Sequence, residues 1–323
     1  MVKSTKSHQK PRTDNVRCRE CDSEMSSLKG LHIHLRKHKM SLEAYYQKHH
    51  PRYDLYTKEI IKFKDRESYL KSNFNSKKNF NKWIKESPSQ KVKKYLEDRL
   101  KSLYEERKPN HIFSSAELES MGDLKISIYD KYIEDGYWSY SQKFVDSSRF
   151  KKPDSDTNYQ KIPDENILID KREQNPLQFD PKNIVLLKFG DYANKNESES
   201  GRVRVERKSA MDFIGTMSKD EKRFSRELKR ASRHDYHIIV VVETSVQKLL
   251  NPNYSRFSKA NPQFYFHVMR KISQENDNVQ FVFSNGREEA KEICRFVLAN
   301  GDLIKNVDVN YLIRNYDILP SRL

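Results

Sequence analysis

Four residues near the start of the chain restrict what it can fold into more than any other feature. Cys18 and Cys21 are separated by two residues, twelve residues follow before His34, and three separate His34 from His38. Two thiolates on a tight knuckle and two imidazoles one helical turn apart can close a tetrahedron around Zn2+. Val16, Met25 and Leu31 fall where so small a fold needs its few apolar side chains. The spacing predicts a Cys2His2 zinc finger over residues 16–40. Counting back from His34, the positions that normally face bases are Ser27, Gly30 and Ile33, and none carries the paired groups that read guanine or adenine. The finger is therefore expected to hold phosphates, through Lys29, Arg36 and Lys37, or to support its neighbours. His32, His49 and His50 stay outside the ligand set as surface residues.

The charge distribution supports a polyanionic partner. The chain of 323 residues carries a net charge of +16. Residues 1–110 hold 28 Lys and Arg against 14 Asp and Glu, whereas residues 111–323 are nearly balanced, with 34 against 32. A basic segment attracts phosphate backbones and gains from counterion release. Aromatics are interleaved there (Tyr45, Tyr46, Tyr53, Tyr56, Phe63, Tyr69, Phe74, Phe80, Trp83), which sets it apart from a disordered tail. Residues 1–15 read as a flexible basic leader with no apolar stretch, and residues 41–160 as a basic, mostly helical DNA-binding region and linker. Within it, Val92, Leu96, Leu100 and Leu103 predict a helix over Ser89–Arg107, stopped before Pro109. Tyr129, Tyr132, Tyr137, Trp138 and Tyr140 form an aromatic cluster, and the polar stretch Asp146–Gln160 reads as a linker. The most apolar short run, Ile238–Val242, is too short to cross a bilayer. With three cysteines, two of them given to zinc, the expected setting is an intracellular, reducing one without membrane contact.

From residue 162 to 301 short apolar runs alternate with amphipathic ones. Strands are predicted near Ile167–Asp170, Ile184–Phe189, Arg202–Glu206, His237–Glu243 and Val279–Ser284, and helices near Ala210–Met217, Asp220–Arg233, Pro262–Glu275 and Glu288–Asn300. Ser218 and Glu221 match a capping box, and Gly301 stands where a helix C-cap belongs. The alternation predicts an α/β sheet covered by helices. Cys294, among Ile293, Val297 and Leu298, reads as a core thiol, and residues 302–323 as a C-terminal tail.

The chemistry is concentrated between Asp170 and Glu243. Asp170, Arg172 and Glu173 are followed by Gly190-Asp191, by Glu206-Arg207-Lys208, and by Asp212. Phosphodiester hydrolysis needs a hard cation held by carboxylates. Asp191 just after one strand and Glu206 at the end of the next can meet at one sheet edge. On a strand, residues two apart share a face, so Lys208 joins Glu206, where an ammonium can orient water and stabilise developing charge. Arg207 points the other way, as a phosphate or structural contact. Glu243 is either a supporting carboxylate or a strand-end polar residue.

This pattern, Gly-Asp, a gap, Glu-Arg-Lys, three residues and Asp, resembles that of the XPF-type (Hef-like) nuclease family, over roughly residues 165–300. The resemblance implies a restriction-endonuclease-like core binding Mg2+ or Mn2+ at Asp191 and Glu206, with Lys208 catalytic and Arg207 beside it. It adds Asp170 and Glu173 to the acidic site, has Arg172 organise it and Asp212 support it, and allows the domain to pair as a homodimer. Cellular relatives usually carry a helix-hairpin-helix pair after the nuclease domain; Asp302–Leu323 is too short for one, so the basic N-terminal third is expected to grip DNA. The segment around Leu28–Tyr46 resembles finger modules of free-standing phage and intron endonucleases. The expectation is a Mg2+-dependent DNA endonuclease of homing type, placed in the host cytoplasm or nucleoid if phage-encoded. The alternatives are a structure-specific nuclease for flaps, forks or junctions, and a non-catalytic DNA-binding regulator with a nuclease fold.

Overall fold

The computed structural model describes residues 16–53, 60–63, 77–147, 149–196, 202–251, 261–316 and 318. The leader 1–15 and Tyr56, Tyr69 and Phe74 of the interleaved aromatics lie outside the described residues. The chain divides into two compact units, Met1–Tyr95 and Leu96–Leu323.

In the first unit a two-stranded antiparallel ribbon, β1 (Val16–Arg17) and β2 (Glu24–Met25), precedes α1 (Leu28–His34) and a short 3-10 turn. Ser27 caps α1 by accepting from the Gly30 amide at 3.1 Å. The next helix, α2 (Leu42–His49), is packed onto the finger, because its Tyr45 is wholly buried with Cys18, Leu31 and Leu35. The Tyr45 hydroxyl accepts from the Arg19 amide at 2.9 Å, and Glu20 pairs with Lys48 and with His49. Further along, Trp83 of α3 (Lys77–Glu86) packs against Phe80 and Tyr95. α4 runs over Ser89–Arg107, as the apolar spacing requires.

The second unit begins within α4 and continues through α5 (Ser115–Ser120), α6 (Ile126–Tyr132) and α7 (Gly136–Ser141). A sheet follows, built from β3 (Ile167–Asp170), β4 (Asn183–Val185), β5 (Tyr192–Asn194) and β6 (Val203–Lys208). It is completed by β7 (His237–Val242) and β8 (Val279–Phe283), in the order β4-β3-β5-β6-β7-β8. β3 pairs with β4, β6 with β7 and β7 with β8 in parallel; β5 is antiparallel to both its neighbours. β7, His-Ile-Ile-Val-Val-Val, is buried along its whole length, as a central parallel strand covered on both faces must be. One face carries α8 (Ala210–Ser218), α9 (Glu221–Ser232), α10 (Val246–Leu250) and α11 (Pro262–Glu275), through Phe213, Phe224, Leu228, Leu249 and Phe266. The other carries α12 (Arg287–Asn300) and α13 (Val309–Asn315), through Ile293, Cys294, Val297 and Leu312.

Several local expectations come out differently. The run Ile184–Phe189 is a strand only to Val185, because the chain then turns to bring Gly190 against β6. β5 has no periodic sequence signal. Ser218 does not cap α9; its hydroxyl donates back to the Ile214 carbonyl at 2.5 Å, and Asp220 starts that helix. The capping box of this unit is Ser114 with Glu117. Asp146–Gln160 contains buried Arg149 and Phe150, and Arg149 donates to the Ser273 and Asn276 carbonyls at the end of α11. After residue 301, Ile304, Val309 and Leu312 enter the core, and the Ser115 hydroxyl donates to Asp308 at 2.6 Å.

Candidate nuclease cleft and metal centres

The four finger side chains converge. Cys21 Sγ lies 3.1 Å from His34 Nε2, Cys18 Sγ 3.6 Å from His38 Nε2, and the two Nε2 atoms are 3.2 Å apart. All four ligand atoms lie within 4.8 Å of one another. A tetrahedral Zn2+ with bonds of about 2.3 Å to sulfur and about 2.0 Å to nitrogen spaces its ligand atoms about 3.3–3.8 Å apart, so the set fits the ion. Hydrogen bonding with Ser23, then with the imidazoles, brings the Cys21 thiol down to about 6, favouring the thiolate that a metal needs. Lys29, Arg36 and Lys37 are exposed; Ser27, expected to face bases, is engaged as the α1 cap.

In the second unit the Gly190-Asp191 turn and β6 build a cleft of about 220 Å3. Asp170, Arg172, Glu173, Asp191, Glu206 and Lys208 line it, together with Thr216, Arg223, Phe224 and Glu227. Gly190 has φ +69°, and a Cβ there would stand 2.8 Å from Arg204 Cβ, so only glycine fits this close approach. That turn lets the Asp191 amide donate to the Val205 carbonyl at 2.8 Å, which fixes Asp191 at the head of β5 beside Glu206 within β6. The Arg207 amide donates to Asp191 Oδ2 at 2.7 Å. Burial first, and then the negative charge of Glu206, push the Asp191 carboxyl up to about 8. Crowded carboxylates of this kind are what a cation relieves.

Side-chain alternation along β6 sorts its three charged residues. Lys208 Nζ lies 2.9 Å from Glu206 Oε1 and 5.1 Å from the centre of the Phe224 ring. Arg207 turns to the other face, 3.0 Å from Glu173 and 3.3 Å from Glu243, and Arg287 also holds Glu243, at 2.8 Å. Asp170 is fully engaged: it accepts from the Arg172 amide and guanidinium and from the Leu187 amide. Burial would raise its carboxyl, but these bonds hold it below the usual range. Asp212 is exposed and caps α8 with Ser209, bordering an adjoining cleft of about 370 Å3. Among the described residues no third Asp, Glu, His or Cys joins Asp191 and Glu206 at ligand distance. Two carboxylates in an open cleft fit a hard cation that keeps waters and takes phosphate oxygens. Sequence reasoning missed Thr216, Arg223, Phe224 and Glu227, which α8 and α9 bring to the cleft from outside the motif.

An α/β domain with a mixed sheet and this carboxylate–lysine cleft is of the nuclease class. Residues 145–296, just under half of the chain, match the ERCC4 domain, in line with the resemblance of their motif to the XPF-type nuclease family. Among solved structures the chain is similar to XPF from Aeropyrum pernix, at 17% identity and a TM-score of 0.31, over 42% of this chain and 63% of that one. It is similar also to XPF from Aeropyrum pernix in complex with DNA, at 17% identity and a TM-score of 0.30, over 42% and 62%. The chain thus spans less than two thirds of these relatives. No curated protein matches it. Among the described residues no helix is long and apolar enough to cross a membrane.

Proposed function

We propose that the protein is a divalent-metal-dependent DNA endonuclease whose catalytic residues are Asp191, Glu206 and Lys208. The observation that carries this reading is their meeting in one cleft, with Lys208 Nζ 2.9 Å from Glu206. A cation bound by Asp191 and Glu206 would neutralise the scissile phosphate and make hydroxide available near neutral pH. Lys208, held between the Glu206 carboxylate and the Phe224 face, presents its ammonium where a phosphate oxygen or attacking water would lie. Arg207 positions β6 through its pairs with Glu173 and Glu243, and Glu173 adds a carboxylate to the lining of the cleft. Zn2+ organises the finger, whose Lys29, Arg36 and Lys37 hold phosphates and direct the enzyme to duplex sites in the homing manner. The ERCC4 match favours a second reading, cleavage at flaps, forks or junctions. Pairing of the domain as a homodimer would suit a double-strand cut.

The test is incubation with Mg2+ of long natural duplex DNA beside short flap and fork substrates, with Glu206→Gln as control. Discrete duplex fragments absent from the control support site-directed cutting. Cleavage confined to branches supports the second reading. Cleavage of neither, or cleavage surviving the substitution, overturns the assignment.

A further inference from the structure

Helix α9 presents a row of cations that the catalytic residues do not explain. Lys222, Arg223, Arg226, Lys229, Arg230 and Arg233 are all exposed, while Phe224, Leu228 and Ala231 of the same segment are buried. At 100° per residue the six fall within an arc of about 120°, and from Lys222 to Arg233 they run for about 16 Å. The row begins at the catalytic cleft, which Arg223 lines, and ends at a larger cleft of about 720 Å3 lined by Lys229, Arg233, Tyr236 and Lys305. Acidic groups on and beside the helix do not neutralise it. Glu221 is paired with Lys271, Glu227 faces the catalytic cleft, and Asp220 lies 3.8 Å from Arg223. Asp235, Glu275 and Asp277 border the far cleft. Among the described residues Lys222, Arg226, Lys229, Arg230 and Arg233 make no ion pair. A helix face that only needs solvating interleaves opposite charges at i,i+4; here Lys222, Arg226 and Arg230 repeat the same charge at that spacing, which weakens the helix unless an anion lies across it.

We infer that α9 is the ridge on which the sugar-phosphate backbone of a DNA duplex lies as it leaves the cleavage cleft. This rests on the endonuclease reading above and gives that activity its substrate path. The duplex, rather than a single strand, is favoured because the exposed face of α9 has no aromatic side chain on which unpaired bases stack. Contacts of this kind position the scissile phosphate without reading sequence.

The test uses the full-length, zinc-loaded chain carrying Glu206→Gln to stop cleavage, with and without Arg226→Ala, Lys229→Ala and Arg230→Ala together. Duplex binding is followed over a range of salt concentrations. Each lost phosphate contact flattens the dependence of log affinity on log salt by about 0.9. The triple variant is expected to lower the slope by about 2–3 and to bind duplex about tenfold more weakly near 0.1 M salt. A matched variant with Lys182, Lys195 and Lys248, exposed lysines outside residues 41–160, changed to Ala should leave the slope unchanged. An unchanged slope in the α9 variant, or an equal change in the matched one, overturns the ridge. An equal loss on a single strand of the same length overturns its assignment to duplex. Thermal melting checks that the variants are folded. If wild-type protein fails to cut while the slope still falls, the endonuclease reading fails and the ridge stands.

Discussion

Arg207 reaches Glu173 at 3.0 Å, whereas its neighbour Lys208 is held by Glu206 at 2.9 Å. Three consecutive charged residues therefore divide between two tasks. Arg207 is buried, and Glu173 depends on it for charge balance, while Glu243 shares it with Arg287. Removing one partner of a buried pair leaves the other uncompensated and costs about 3–5 kcal/mol. We expect Arg207→Ala to lower the urea midpoint by the equivalent of about 3 kcal/mol or more. Glu206→Gln, which relieves repulsion with Asp191, should leave the midpoint unchanged or raise it while ending cleavage. Equal destabilisation by both would remove the division of labour proposed for β6.

Gly190 gives a second test of how the cleft is made. A Cβ at this left-handed position meets both Arg204 Cβ and the Val205 carbonyl. Gly190→Ala should cost about 1–3 kcal/mol, from the strained backbone and the displaced turn. Because Asp191 follows directly, cleavage should fall further than the folded fraction does. Measuring both on one preparation separates the effects, and activity tracking the folded fraction would show that the turn does not place Asp191.

The buried His237 predicts an acid limb of stability. Burial first, then the charges of Arg149 and Lys305, bring its imidazole down from 6.5 to about 3. Between these values the unfolded chain binds a proton that the folded protein does not, so folding is weakened as pH falls through that window. Above 6.5 both states are neutral and the effect vanishes. His237→Leu removes the group, so its stability relative to wild type should improve progressively from pH 6.5 towards 4. A constant difference across that range, read by denaturant titration, would show that His237 does not titrate as described.

Much of this was legible in the sequence because the signals are local. The apolar runs of β3, β7 and β8, the spacing along α4, and the i,i+2 relation of Glu206 to Lys208 need no partner to be read. β5 was not legible, since Tyr-Ala-Asn is a strand only by pairing with β3 and β6. The Ser115–Asp308 and Arg149–Ser273 bonds join residues more than a hundred positions apart, which no window detects. The ridge on α9 was hidden by averaging: residues 111–323 are nearly neutral as a whole, although one helix within them gathers five cations on one face, with Arg233 at its C-cap as a sixth.

The finger predicts a metal dependence separate from that of the cleft. Its buried core consists of Cys18, Leu31, Leu35 and Tyr45, and one of the four belongs to the Cys2His2 set that fits Zn2+, so a bound ion would supply much of what holds the segment together. A strong zinc chelator should therefore unfold residues 16–49, removing the amide protection of α1 and α2. The sheet of the second unit has its own core and should keep its melting transition. Cys21→Ser, which loses a thiolate ligand, should reproduce the chelated state at saturating zinc. Hydrogen exchange resolved by segment reads both arms, and persistent protection of α1 without zinc would mean that Tyr45 and Leu31 suffice to fold the finger and that the ion adds only to its surface chemistry.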